Sequence, residues 1–203
     1  MMMDFAGKSL DLSASHVMGI VNVTPDSFSD GGRFFSPDKA LEQARKLIAD
    51  GATIIDIGGE STRPGSDPVD VEEEIRRVVP AIEAIHAEFD VVISIDTMKA
   101  DVMRAAVKAG ASLINDVNAL QGDGALQAAA ELDVPVCLMH MQGTPQTMQQ
   151  QPHYVDVVNE VNNFLSERVA ACEAAGISRS RIILDPGFGF GKNARHNLRL
   201  MKH

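Results

Sequence analysis

Basic residues are in short supply: Lys and Arg number 18 against 28 Asp and Glu, giving a formal net charge of -10. A polyanion needs a clustered cationic surface, so nucleic acid is excluded as a partner class. No apolar stretch approaches the roughly 18 residues of a membrane span, and the opening MMMDFAGKSLDLS has neither the basic nor the apolar region of a secretory signal. A soluble, cytoplasmic protein with no membrane partner is the expectation. The two cysteines, Cys137 and Cys172, both fall in apolar periodic segments and read as reduced core residues. His16, His86, His140, His153, His196 and His203 lack the spacing of zinc ligands. No heptad pattern supports a helix-pairing scaffold, and no dinucleotide fingerprint follows the first strand. DPGFGFGK (Asp185 to Lys192) is not a phosphate loop either, because Pro186 stands where the first glycine is needed and Asn193 follows Lys192.

What the chain does have is alternation of strand and helix. Six short apolar runs read as strands: HVMGIVNV from His16, TIIDIGG from Thr53, VVISIDT from Val91, SLINDV from Ser112, VPVCLMHM from Val134 and RIILDPG from Arg181. Most are nearly continuous in apolar residues, which is the mark of strands covered on both faces in a parallel sheet. Helical patterns lie between them. Ser36-Pro37 reads as an N-cap and first turn, and Asp70 with Glu73 reads as a capping box before a stripe at Val71, Ile75, Val78, Val79, Ile82 and Ile85. Pro80 should kink that helix. A long helix is expected from Tyr154 to Ala175, ended by Gly176. The echo of GATIID (Gly51 to Asp56) in GASLIN (Gly110 to Asn115) supports repeated βα units. A barrel is favoured over a doubly wound sheet because every strand ends in a polar residue. Alternating apolar and polar residues in the first dozen positions suggest a hairpin across the barrel's bottom. The expected fold is therefore a (β/α)8 TIM-type barrel with about six βα units present, residues 1-203 forming one domain that is incomplete at its carboxyl end.

The strand ends carry Asn22, Asp56, Asp96, Asn115, His140 and Asp185, with Glu60, Ser61, Thr62 and Arg63 just beyond the second. Any one of them could be an ordinary helix cap or turn residue. Together, at a barrel mouth, they would form a site. Asp96, Asn115 and Asp185 offer acceptors and mixed donor-acceptor edges suited to a flat heterocycle with adjacent N–H and amino donors. GGESTRPGS (Gly58 to Ser66) combines glycines, hydroxyls and Arg63, as an oxyanion cradle would. Asn22 could supply the single protein oxygen that magnesium often takes beside a substrate phosphate. Lys192 reads as structural or peripheral.

MGIVNVTPDSFSDGG, GATIIDIGGESTRPG, SIDT, INDV, PVCLMHMQGTP and LDPGFGFGK, in this order, resemble the dihydropteroate synthase family of folate biosynthesis from about residue 5 to the last residue. The resemblance implies condensation of 6-hydroxymethyl-7,8-dihydropterin diphosphate with 4-aminobenzoate to give 7,8-dihydropteroate and diphosphate. It implies pterin binding by Asp96, Asn115 and Asp185, with catalytic electrostatics from Asp96 and Asp185. It also implies contacts of Thr62 and Arg63 with diphosphate and aminobenzoate, and a magnesium-linked Asn22. Phe28 and Pro64 would wall the aminobenzoate pocket, which is where sulfonamides act. Mg2+ is the cofactor implied, small-molecule substrates the partners, and a homodimer the assembly. The TPDSFSDGG stretch (Thr24 to Gly32) would be a loop closing over the diphosphate. A pterin-binding remnant without turnover and a methyltetrahydrofolate methyltransferase-type barrel are the alternatives.

Overall fold

The computed structural model describes residues 1-24, 37-61 and 67-203. The first dozen residues form the expected hairpin, β1 (Met2–Phe5) against β2 (Lys8–Asp11), antiparallel with Met3 opposite Leu10. Asp4 accepts a bond of 3.0 Å from the Gly7 amide, closing the two-residue turn.

Six βα units follow. They are β3 (Met18–Asn22) and α1 (Pro37–Ala49), β4 (Ile54–Gly58) and α2 (Val71–Glu88), β5 (Val92–Asp96) and α3 (Ala100–Ala109), β6 (Leu113–Asp116) and α4 (Ala125–Leu132), β7 (Val136–Met139) and α5 (Val157–Ala174), β8 (Ile182–Asp185) and α6 (Ala194–Lys202). The strands pair in parallel in the order β3-β4-β5-β6-β7-β8. A doubly wound sheet reverses strand order at its switch point, whereas unreversed order is how a (β/α) barrel winds. Among the described residues β3 and β8 pair on one side only. Ile20 of β3 is accordingly 60% exposed.

Alternation along the strands separates two apolar environments. Val21, Ile55, Ile57, Ile93, Ile95, Ile114, Val136 and Leu138 face the helices and form the main core with Val78, Ile82 and Ile85 of α2 and Met103 of α3. On the opposite face, near the strands' amino ends, Ile54, Val92, Leu113 and Cys137 pack against Met3 and Phe5 of the hairpin. The hairpin therefore plugs the bottom of the sheet, and Cys137 and Cys172 are both free and buried.

The repeated GA(T/S) segments are the same device used twice. Gly51 and Gly110 end α1 and α3 at φ of 103° and 120°, values open to glycine. In each case the next residue donates back across the turn, Ala52 to the Leu47 carbonyl at 2.9 Å and Ala111 to the Ala106 carbonyl at 3.0 Å. Gly176 follows α5 in the same way, with Ile177 donating to the Cys172 carbonyl.

Two local expectations need correction. Asp70 caps α2 by accepting from the Glu73 amide at 2.8 Å, but the Glu73 carboxylate turns to Arg77 Nε at 2.7 Å and does not return to Asp70. The reciprocal half of the capping box is absent because an arginine one turn away competes for it. Pro80 lies within α2 without ending it. The helix α5 begins at Val157, because Asp156 is its cap, accepting from the Val158 amide at 3.2 Å, while the Tyr154 hydroxyl is committed to the Gly191 carbonyl at 2.8 Å. Ser36 lies outside the described residues. Among the described residues no helix is long and apolar enough to cross a membrane.

Candidate functional site

Register places the polar strand ends with respect to one another. Asn22 pairs with Gly58, Gly58 with Asp96, and Asp96 with Asn115, so three polar residues and one glycine form a row across β3 to β6. Asp185 pairs with Met139, two residues further along than the Cys137 that faces Asn115. All four polar side chains rise from the face that carries the hairpin plug at its other end. Asp56 does not sit at the tip of β4 but one inward-facing position below Gly58, opposite Ser94.

Gly58 shapes the middle of this row. A Cβ there would lie 3.5 Å from Asn22 Oδ1 and 3.5 Å from Asp96 Oδ2. The missing side chain leaves a notch flanked by two hard oxygens, a donor set that suits a divalent cation keeping most of its own waters or the N–H edge of a ligand. Among the described residues no group of three His, Cys, Asp or Glu could hold a metal ion. A cation here would depend on one or two protein oxygens.

The electrostatics are those of acids crowded out of water. Burial is the largest cause raising Asp96 well above the usual carboxylate range, followed by the charges of Asp56, Asp116, Glu74 and Glu60. Asp96 Oδ1 is buried with no hydrogen-bond partner among the described residues. Burial also raises Asp56, against the support of Ser94 and Asn115. The Asn115 amide donates to Asp56 at 3.3 and 3.4 Å, which turns its carbonyl oxygen away from Asp56. The neighbouring Asp116 is a turn-former: it accepts from the Asn118 and Leu120 amides at 2.7 and 2.9 Å, and burial lifts it to about 6.

Glu60 anchors the base of the loop after β4. Its carboxylate accepts from the Val69 amide at 2.8 Å and from Lys99 at 2.6 Å. Lys99 also pairs with Glu74, which is 1% exposed and accepts from the Thr97 hydroxyl at 2.7 Å. Arg77 donates to the Gly59 carbonyl at 2.9 Å. Sequence reasoning missed this network. Its one signal was Glu74, an acid four residues before Val78 on the apolar stripe of α2.

At β8, Asp185 Oδ1 accepts from the Gly187 amide at 2.7 Å. His140, grouped above with the strand ends facing the mouth, instead stands edge-on to Phe164 of α5 at 5.0 Å and bonds Lys192 at 2.9 Å. One residue past Met139, it has the opposite facing. Lys192 is not peripheral, at 2% exposure. Thr62, Arg63, Pro64 and Phe28, with the TPDSFSDGG stretch from Pro25 onward, lie outside the described residues. The arrangement thus brings Asn22, Asp96 and Asn115 together, with Asp185 beside them.

Comparison with known proteins supplies the family. The pterin binding enzyme family model matches residues 18–203. The dihydropteroate synthase of Escherichia coli strain K12 is 58% identical over 195 residues, which span 96% of this chain and 69% of that protein. The crystal structure of the Xanthomonas albilineans dihydropteroate synthase with 4-aminobenzoic acid matches 100% of this chain and 72% of its own, at 54% identity and a TM-score of 0.93. That of the Yersinia pestis enzyme in a sulfonamide drug complex matches 100% and 73%, at 53% identity and the same TM-score of 0.93. The chain, with six (β/α)-barrel units, belongs to the pterin-binding enzyme family as a dihydropteroate synthase.

Proposed function

We propose that the chain, as one domain over residues 1-203, binds a 6-hydroxymethyl-7,8-dihydropterin diphosphate at the row Asn22, Asp96 and Asn115 with Asp185 beside it. Its reaction would be the condensation of that substrate with 4-aminobenzoate. The observation that carries this reading is the buried Asp96 oxygen that has no partner among the described residues, inside a row of polar strand ends. A pterin's adjacent N–H and amino donors would satisfy Asp96 and Asp185, and the Asn115 carbonyl would accept a further one.

The C–O bond to diphosphate breaks with its electron pair on the leaving oxygen. The exocyclic carbon becomes a cation delocalised into the pterin ring, and the aromatic amine attacks it, forming the C–N bond and releasing a proton to water. No strong base is needed, so the protein's contribution is orientation and charge. The oxygen lone pairs of Asp96 and Asp185 would favour the cation by their negative potential. Thr62 and Arg63 are assigned to the diphosphate and aminobenzoate, and Phe28 and Pro64 to the apolar wall of the aminobenzoate pocket. A magnesium ion bound through Asn22 would supply positive charge for the departing diphosphate. The same reading includes a cytoplasmic location and a homodimer.

The test is titration of the dihydropterin diphosphate by calorimetry, paired with diphosphate release on adding 4-aminobenzoate. Binding that Asp96→Asn and Asn115→Ala each weaken tenfold or more supports the site. Unchanged binding in both variants removes it, and binding without release leaves a pterin-binding protein that does not turn over.

A further inference from the structure

Lys192 is a buried cation whose hydrogen bonds, among the described residues, reach no carboxylate. Its ammonium lies 2.9 Å from His140 Nδ1 and donates to the carbonyls of His140, Gly187 and Phe190 at 3.1, 2.9 and 2.9 Å. Two of the residues it holds, His140 and Gly187, are those that hold Asp185. The His140 amide donates to the Asp185 carbonyl at 3.0 Å, and the Gly187 amide donates to the Asp185 carboxylate at 2.7 Å. The bonds close into a circuit: Asp185 to Gly187, Gly187 to Lys192, Lys192 to His140, and His140 back to Asp185.

The two loops meet along a seam that admits only backbone. A Cβ on Gly187 would lie 2.0 Å from the His140 carbonyl oxygen, and one on Gly191 would lie 2.7 Å from the Gln142 carbonyl oxygen, both at positive φ. Carbonyl oxygens crowded at such a seam repel one another, and a cation placed among them turns that repulsion into attraction. His140 meets the ammonium as a neutral acceptor, since burial first, and then Lys192, hold it down at about 4.

We propose that Lys192 is a positioning residue for Asp185. By binding the carbonyls of His140 and Gly187 it fixes the two residues whose amides hold the Asp185 backbone and carboxylate, so the pterin-facing acid of β8 is held through the cation and not by its strand alone. This rests on the reading that Asp185 binds the pterin.

The experiment is a double-mutant cycle on binding of 6-hydroxymethyl-7,8-dihydropterin diphosphate, with Lys192→Met, Asp185→Ala and the pair, and Lys192→Met repeated on Asn115→Ala. Lys192→Met is expected to weaken binding about tenfold alone and on Asn115→Ala, but less than twofold on Asp185→Ala. A general structural role would give the same loss on every background, and that result, like an unchanged affinity for Lys192→Met when Asp185→Ala is impaired, overturns the inference. Unchanged binding by Asp185→Ala itself overturns the pterin role of Asp185, and the inference with it. Lys192→Gln, which keeps donors without the charge, takes the place of Lys192→Met in the same cycle if the methionine variant does not fold.

Discussion

At the amino ends of the parallel strands Ile54, Val92, Leu113 and Cys137 meet Met3 and Phe5 of the hairpin, while the carboxyl ends of the same face carry Asn22, Asp96, Asn115 and Asp185. One sheet face thus changes from dry and apolar to acidic within a few residues. Asp56 lies two residues beyond Ile54, and Gly58 two beyond Asp56. The plug lowers the free energy of the fold by removing apolar surface from water. The mouth raises it, through buried acids that push one another's protons on. Stability and ligand recognition are therefore separated along the strands, and mutations at the two ends should fail in different ways.

The largest expected effect tests the plug. Phe5→Ala, at a residue with no exposed surface, should cost about 3–5 kcal/mol of folding stability, read by denaturant unfolding, and leave the pterin affinity of the folded fraction unchanged. At the mouth the signs reverse. Asp96→Asn should weaken pterin binding by about 100-fold, or about 2.7 kcal/mol, while folding stability does not fall, since the variant removes a carboxyl that burial and four neighbouring acids disfavour as an anion. A large stability loss with Asp96→Asn would break the comparison.

A pH series sharpens it. His140 in the folded chain is held down at about 4 by burial and by Lys192, with Glu160 opposing, against an ordinary 6.5. The unfolded chain therefore binds the extra proton between those values. The contribution of His140 is fully present above about 6.5 and is lost as pH falls through the window. Between pH 7 and pH 5 the stability advantage of the parent over His140→Gln should shrink by about 1–2 kcal/mol. The comparison with the variant matters because Asp56, Asp96 and Asp116 are raised and respond to acid in the opposite direction.

The smallest effect is the most local. Gly58→Ala would place a methyl at ordinary contact distance, 3.5 Å, from both Asn22 Oδ1 and Asp96 Oδ2. Melting should shift by less than about 0.5 kcal/mol equivalent, as for a substitution without clash or strain. Pterin affinity should drop about tenfold because the notch is filled, and calorimetry would show whether it does.

Much of this was legible beforehand because it rests on local rules. The strands from Met18 to Asp185 announced themselves by apolar runs, the caps at Gly51, Gly110 and Gly176 by glycine after a periodic segment, and the hairpin by alternation in the first dozen residues. Asp96, Asn115 and Asp185 stood out as polar groups closing apolar runs. Asp116 looks the same in sequence as Asn115, yet one residue of alternation turns it to a turn it caps. His140 was misplaced for the same reason. Glu60, Glu74 and Lys99 come from a loop, a helix and the start of the next βα unit, 14 to 39 residues apart, so no local pattern could join them.

The amino-acid sequence by itself determined the order of strands and helices, that the middle strands are covered on both faces, and which polar residues close the apolar runs, because capping, periodicity and glycine's freedom act over a few residues. Only the tertiary structure decided which tips share a row. Register alone sets Gly58 between Asn22 and Asp96, and burial alone leaves an Asp96 oxygen without a partner among the described residues. It also decided that Lys192 lies inside the fold, since its partners, the His140 imidazole and three carbonyls, are gathered by the packing of two loops, and carbonyls exist at every residue of any sequence.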